Sequence, residues 1–262
     1  MDRKIIFFDI DGTLYDSELG VPESAGKAVR LLLEHGHIPV ICTGRTRAMI
    51  PEYLIDIGFA GIVAGAGTYV EYMGEIVHHK VEGTDYIRDI LALLHGNNVK
   101  YIIEGPEYVY YGSTDKNAEY DFFNQLLSKV GKDKAKPASG NVVRMNKISC
   151  FGMKDSSLAA MMPAIEKKFH VIDHQDGILV ELVPNGYNKA TGIRRLIEFL
   201  HIDRKDTYAF GDSMNDMEML DYVEYGIAMG NSYPEVLKKA RYKTKSMKED
   251  GIYYGLKEFG LI

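Results

Sequence analysis

Acidic and hydroxyl side chains directly follow three apolar stretches of this 262-residue chain. Asp9 and Asp11 come after Lys4 to Phe8, Thr43 after Ile38 to Cys42, and Asp212 with Asp216 after Thr207 to Phe210. Two carboxylates at one strand end and two at another repel strongly if they converge without a cation. A hard divalent ion resolves the conflict. Magnesium suits the set: it prefers oxygen ligands, keeps several waters and takes one or two carboxylates together with substrate phosphate, and no His or Cys ligand accompanies these acids. A phosphoryl substrate is therefore expected. Its oxygens need N–H donors and fixed cations, which Gly12, the Thr43-Gly44 turn at an expected helix start and a lysine can supply.

The elements that must position these residues alternate. Lys4 to Phe8 and Ile38 to Cys42 read as strands covered on both faces, with Pro39 tolerable only near the start of the second, and Gly61 to Ala64 as a third. Between the first two, Pro22 opens a helix along Ala25, Ala28, Val29, Leu32 and Leu33 that stops at Gly36. A hairpin about Met73-Gly74 follows, from Tyr69 to Tyr72 and Glu75 to His79. From about Gly83 to Val183 the texture is α+β. Helices are expected over Asp85–His95, Ala118–Val130 and Ser156–Phe169, and strands over Val99–Glu104, Tyr108–Tyr111, Lys147–Gly152, His170–His174 and Ile178–Val183. Gly131 to Pro137 reads as a solvated surface turn, and Arg144 to Lys147 as another turn. The α/β rhythm resumes with a helix presenting Ala190, Ile193, Leu196, Ile197 and Leu200 on one face, then strands Thr207–Phe210 and Tyr225–Met229. The expected fold is α/β: a doubly wound, Rossmann-like parallel sheet built from residues 1–82 and 184–262, interrupted by an α+β domain over 83–183.

Composition narrows the partners. Lys and Arg total 31 against 37 for Asp and Glu, giving a formal net charge of -6, far from the basic footprint of a nucleic-acid binder. No apolar run approaches the roughly 18 residues of a membrane span, so neither a signal peptide nor an anchor is expected. Cys42 and Cys150 are far apart and form no CxxC pair, which argues against a disulfide framework and fits a reducing cytoplasm. Nothing in the sequence fixes the oligomeric state.

FFDIDGTL (Phe7 to Leu14), ICTGR (Ile41 to Arg45), NKATGI (Asn188 to Ile193) and GDSMNDMEML (Gly211 to Leu220) resemble, in order and spacing, the four motifs of the haloacid dehalogenase superfamily. Only 31 residues separate Asp11 from Thr43, whereas 145 separate Thr43 from Lys189, so the chain resembles the Cof-type phosphatases, whose large α/β cap is inserted after the second motif. The resemblance implies a magnesium-dependent phosphatase of a small phosphorylated metabolite. In it Asp9 matches a nucleophile that forms an aspartyl-phosphate, and Asp11 the acid that protonates the leaving oxygen and then activates water. Thr43 with the Gly44 N–H matches the donors to the phosphoryl group, and Lys189 the cation that holds it. Asp212 matches a direct magnesium ligand, joined by Asp9 and the Asp11 carbonyl. Asp216 is expected one step out, orienting metal waters or Lys189, and Asn215 near the phosphoryl group. Cof-type chains commonly carry Asn-Gly-Ala after the third strand; Ala64-Gly65-Ala66-Gly67 here lacks that asparagine amide.

Other features have plainer readings. Met214, Met217, Met219 and Leu220 read as core packing, and Cys42 as a buried strand residue. His78 and His79, adjacent on a strand, point to opposite faces of an exposed hairpin. Gly65-Ala66-Gly67 lacks the full GxGxxG of a dinucleotide turn. Tyr108, Tyr110 and Tyr111 are open to packing or to substrate contact. Sugar phosphates lead the substrate classes, followed by phosphorylated cofactors such as flavin mononucleotide or pyridoxal phosphate. A phosphomutase and a non-catalytic phosphoryl sensor are the competing activities.

Overall fold

The computed structural model describes residues 3–112, 133–138, 143–151, 156–174 and 179–262. Two compact units divide the chain: Met1–Gly44 with Pro51–His79 and Asn188–Ile262, and Arg45–Ile50 with Lys80–Tyr187. The chain begins with β1 (Ile5–Phe8), α1 (Glu23–Glu34), β2 (Ile38–Cys42), α2 (Glu52–Ile55), β3 (Gly61–Ala64), β4 (Tyr69–Tyr72) and β5 (Glu75–His79). It continues with β6 (Glu82–Gly83), α3 (Thr84–Gly96), β7 (Lys100–Glu104), β8 (Val109–Gly112), β9 (Ala135–Pro137), β10 (Arg144–Met145), β11 (Lys147–Phe151), α4 (Ser156–Ile165), β12 (Phe169–His174) and β13 (Leu179–Pro184). It closes with α5 (Lys189–Leu200), β14 (Thr207–Gly211), α6 (Met217–Tyr222), β15 (Tyr225–Ala228), α7 (Pro234–Lys239), β16 (Tyr242–Lys243) and α8 (Gly251–Glu258).

The first unit is built on an eight-stranded sheet in the order β16-β15-β14-β1-β2-β3-β4-β5. The six strands from β16 to β3 are parallel, and β4 and β5 add an antiparallel edge. All four residues of β1 are fully buried because each face of the sheet is covered. Ile5 and Phe7 pack with Val40, Val63, Ile193 and Leu196 on one face, and Ile6 and Phe8 with Ala28, Leu32, Ile252 and Leu256 on the other. Phe8 stacks on Phe210 with ring centroids 5.4 Å apart and takes Phe59 edge-on at 5.9 Å, pairs worth about 0.5–1.5 kcal/mol each beyond their burial.

The end of α1 shows how the sequence returns the chain to the sheet. Gly36 is left-handed at φ 80°; its N–H donates to the Leu33 carbonyl at 2.9 Å, and the His37 N–H to the Leu32 carbonyl at 2.8 Å. This paired closure satisfies two helix-end carbonyls and delivers Ile38 directly into β2.

The second unit carries a six-stranded sheet, β12-β13-β11-β7-β8-β9, antiparallel except for β8 with β9, and a separate β6–β10 pair. Ile87, Ile90 and Leu94 of α3 and Met161 and Ile165 of α4 pack on Tyr101, Ile103, Ile148, Cys150, Val180 and Leu182. On the strands, Lys147 is buried between Glu104 at 3.3 Å and Glu181, and Ser149 Oγ donates to Glu104 at 2.5 Å.

Several expectations need correction. Ala135–Pro137 is a strand paired with β8, not part of a solvated turn, and Arg144–Met145 is strand β10, separated from β11 only by a bend at Asn146. The helix from Ser156 ends at Ile165, with Pro163 inside it, so Phe169 opens β12 instead. Thr43-Gly44 does not start a helix: a three-residue turn at Arg47–Met49 and the one-turn α2 follow. Leu33 and Met214 are exposed, at 41% each, and the His78 and His79 side chains are half-buried, with Tyr69 edge-on to His79 at 4.9 Å. The expected helix over Ala118–Val130 lies outside the described residues.

Candidate active site

In open α/β sheets, ligands gather outside the carboxyl ends of the strands where the strand order reverses. β1 is that point, with β2 on one side and β14 on the other. Asp9 extends the strand by one ladder bond, its N–H donating to the Phe210 carbonyl at 3.0 Å. The chain then turns tightly: the Leu14 and Tyr15 N–H groups donate to the Ile10 carbonyl at 2.9 and 2.8 Å, and the Gly12 N–H to Tyr15 at 2.9 Å. Gly12 is required twice over. Its φ is 81°, and a Cβ there would lie 2.3 Å from Asp212 Oδ2.

Lys189 arrives from the other half of the unit as the first residue of α5. Asn188 caps that helix, its Oδ1 accepting from the Thr191 N–H at 2.9 Å while its own N–H donates to Thr191 Oγ1 at 3.1 Å. The Ala64-Gly65-Ala66-Gly67 turn lets this helix end approach the sheet. A Cβ on Gly67 would stand 2.1 Å from the Asn188 carbonyl oxygen, and one on Gly192 would stand 2.5 Å from Val63 Cγ1. The Ala66 N–H also donates to the Thr43 carbonyl at 3.1 Å, tying this turn to the end of β2.

The buried groups form one hydrogen-bonded cluster. Lys189 Nζ donates to Asp9 Oδ1 and to Asp216 Oδ1, both at 2.6 Å. Asp216 Oδ2 accepts the backbone N–H groups of Asp212 and Ser213, each at 3.0 Å, so both of its oxygens are engaged. Asp212 Oδ1 accepts from Thr13 Oγ1 at 2.8 Å. Exposure is 4% for Asp9, 8% for Asp212, 1% for Lys189 and 0% for Asp216.

Three carboxylates around one ammonium leave excess negative charge in a dry site. Burial, then Asp216, pushes the Asp9 carboxyl well above the usual carboxylate range, against the opposing pull of Lys189. Burial and Asp216 likewise push Asp212 up to about 7. Burial disfavours the Lys189 charge, but Asp216 and Asp9 outweigh it and hold the ammonium charged. Asp9, Asp212 and Asp216 each offer an oxygen within 4.8 Å of the others. The donor set fits a hard divalent cation: oxygen only, with Oδ2 of Asp9 and of Asp212 taking no protein hydrogen bond among the described residues.

Of the residues singled out in the sequence, Asp9, Asp212, Asp216 and Lys189 therefore meet, with Gly12 beneath Asp212. Asp11 is exposed on the turn and close enough to raise Asp9 further. Thr43 is buried at the end of β2, its N–H donating to Val63 at 2.8 Å, and Gly44 is buried beside it. Asn215 is half-buried and accepts from Ser213 Oγ at 2.7 Å. Cys42 is wholly buried and its thiol is driven up by that burial, as befits a strand residue without reactivity. Tyr110 is packed in the second unit's core, Tyr108 lies against it, and Tyr111 packs near Ile102 and Val109.

Sequence reasoning missed Thr13, Asn188 and Ser213. Each had a signal: Thr13 sits within the first motif, and Ser213 with Asp216 has the spacing of a capping box, as does Asn188 with Thr191.

The model of the haloacid dehalogenase-like hydrolases matches residues 6–256. YkrA of Bacillus subtilis (strain 168), provisionally named as a phosphatase, is 32% identical over 270 residues covering all of both chains. YitU of the same organism, a 5-amino-6-(5-phospho-D-ribitylamino)uracil phosphatase, is 26% identical, with 97% of each chain covered. Among solved structures, the subclass IIB sugar phosphatase BT4131 superposes with a TM-score of 0.84 at 25% identity, covering 99% of this chain and all of the other.

Proposed function

The chain belongs to the haloacid dehalogenase-like hydrolase family, whose relatives are phosphatases, and from that premise we propose a magnesium-dependent phosphatase that acts through a phosphorylated Asp9. The observation that carries this reading is the cluster in which Lys189 bonds both Asp9 and Asp216 while Asp212 stands over Gly12. Asp9 and Asp212, with the Asp11 carbonyl, would hold the ion, and Asp216, saturated by Lys189 and two backbone N–H groups, would orient rather than ligate. When bound, magnesium supplies Lewis-acid neutralisation of the phosphoryl charge.

The chain's own residues do the rest. An oxygen of Asp9 attacks phosphorus in line with the ester oxygen, so a carboxyl–phosphorus bond forms as the ester bond breaks. Asp11 gives its proton to the departing oxygen, then takes one from the water that attacks the phosphorylated Asp9, returning the carboxylate and releasing phosphate. Lys189 holds Asp9 and the phosphoryl oxygens in one place, and Thr43, the Gly44 N–H and Asn215 donate to the remaining oxygens.

The substrate we propose is a phosphate monoester on a polyol chain, a sugar phosphate first. YitU favours a second member of that class, since the substrate in its name is a phosphorylated ribityl compound. The second unit corresponds in this reading to the α+β cap expected from the sequence. Two buried free thiols accord with a reducing cytoplasm. A panel of sugar phosphates, 5-amino-6-(5-phospho-D-ribitylamino)uracil, flavin mononucleotide and pyridoxal phosphate, assayed with Mg²⁺ and with EDTA, tests the reading. Phosphate release from a polyol phosphate with Mg²⁺ alone supports it. Isomerised sugar phosphate without release indicates a mutase, and binding without turnover a sensor.

A further inference from the structure

The Asp9 turn and the Asp212 loop come from opposite ends of the sequence, yet their spacing sets where a cation can sit. Thr13 Oγ1 bonds Asp212 directly at 2.8 Å. A third loop, without an acid, also touches both. Past β15, the Tyr233 N–H donates to the Asp212 carbonyl at 3.1 Å and the Met229 N–H to the Gly211 carbonyl at 3.0 Å. From the same loop Asn231 reaches across: its Nδ2 donates to the Gly12 carbonyl at 2.7 Å, and its Oδ1 accepts from the Met247 N–H at 2.9 Å.

We propose that Asn231 is a positioning residue, whose carboxamide holds the Gly12 peptide and so fixes the Asp9–Thr13 turn at the distance from Asp212 that a divalent ion needs. This rests on the reading of Asp9 and Asp212 as metal ligands. Gly12 is left-handed and has no side chain to anchor it, so the two peptide planes that flank it are set by what bonds its N–H and its carbonyl. Tyr15 takes the N–H, and Asn231 takes the carbonyl. The Asp11 carbonyl lies one peptide before, and a rotation at Gly12 moves it relative to the Asp9 carboxylate, which Lys189 and the ladder bond to Phe210 hold in place. Met247 anchors the far side of the carboxamide, so the amide cannot swing away when the Gly12 carbonyl is pulled. Asn231 itself is exposed, and its loss removes little buried surface.

The test is Mg²⁺ binding by calorimetry on the full chain, with the melting temperature in EDTA and in Mg²⁺, for wild type, Asn231→Ala and Asn231→Gln. The expected result is a Mg²⁺ dissociation constant about tenfold weaker in Asn231→Ala, in the range seen when a group orienting a metal ligand is removed. The melting temperature in EDTA stays within about 2 °C, in line with the small effect of most surface substitutions, while its rise on adding Mg²⁺ shrinks. Asn231→Gln, which keeps the carboxamide, recovers part of the affinity. Unchanged Mg²⁺ affinity in Asn231→Ala overturns the proposal, as does a fall in the EDTA melting temperature that accounts for the whole effect. A wild-type protein that binds no Mg²⁺ overturns this proposal and the metal reading together, and is recognised by appearing before any substitution is made.

Discussion

Lys189 neutralises two buried carboxylates at once, with 2.6 Å contacts to Asp9 and Asp216 and almost no access to water. Removing the cation leaves like charges facing each other in a dry site, so Lys189→Met is expected to cost about 3–5 kcal/mol in metal-free protein, measured by urea unfolding at neutral pH. On the proposed mechanism the same change also deprives the phosphoryl oxygens of a cation, and phosphate release is expected to be lost. Gly12 carries a different constraint. A methyl group there meets Asp212 Oδ2 at 2.3 Å in a backbone conformation that alanine resists. Gly12→Ala is therefore expected to lower phosphatase activity at least about 100-fold, the scale of a misplacement near 1 Å, in a steady-state assay with saturating Mg²⁺. In the sequence Gly12 stands out as a turn residue after an apolar strand, whereas Lys189 is singled out only by the resemblance of NKATGI to a family motif. Thr13 was quoted in a motif without a role, because its bond to Asp212 spans 199 positions and has no local pattern.

At the scale of elements, the approach of α5 to the sheet depends on what is missing from Gly67. Gly67→Ala would press a methyl group to 2.1 Å from the Asn188 backbone oxygen at φ 87°, so the helix bearing Lys189 must retreat. A loss of at least about 1–3 kcal/mol is expected, read as a lower melting temperature, with activity falling in step. In the second unit, burial works against the Glu181 charge, yet Lys147 and His174 outweigh it and bring the carboxyl down to about 2. A group with a lower pKa folded than unfolded stabilises the fold above its unfolded value. Its contribution is present above about pH 4.5 and is lost as pH falls toward 2. Glu104 has the opposite sign, because burial raises it despite Lys147. Glu181→Gln should thus flatten the loss of stability between about pH 4.5 and 2, followed by acid unfolding with circular dichroism. The parallel strands and α1 were readable because their apolar periodicity and the Gly36 stop are local. Strand β9 and the β6–β10 pair were not, because they are only two or three residues long and only a partner strand makes them strands. The half-burial of His78 and His79 escaped for a related reason: alternation along a strand shows which residues share a face, and not what covers it.

At the scale of the whole molecule, the chain is acidic, and the proposed site would still bind an anion, because charge placement rather than net charge decides what binds. No helix among the described residues is long and apolar enough to cross a membrane. A ligand that binds only the folded state stabilises it, by about 2.7 kcal/mol at a hundred times its dissociation constant. For a chain of this size that corresponds to a rise in melting temperature of about 5–10 °C on adding Mg²⁺ to EDTA-treated protein, checked by calorimetry. The order of four motifs made the interrupted arrangement readable at this scale. The buried Glu104–Lys147–Glu181 cluster of the second unit was not, because its partners lie far apart in sequence. The central claim is that Asp9 carries the phosphoryl group, and rapid acid quench of a single turnover with a ³²P-labelled sugar phosphate and Mg²⁺ tests it most directly. Label is expected on the peptide containing Asp9, absent in EDTA and in Asp9→Asn, with phosphate release in that variant reduced at least about a thousandfold. Undiminished phosphate release by Asp9→Asn, or label on another residue, would contradict it.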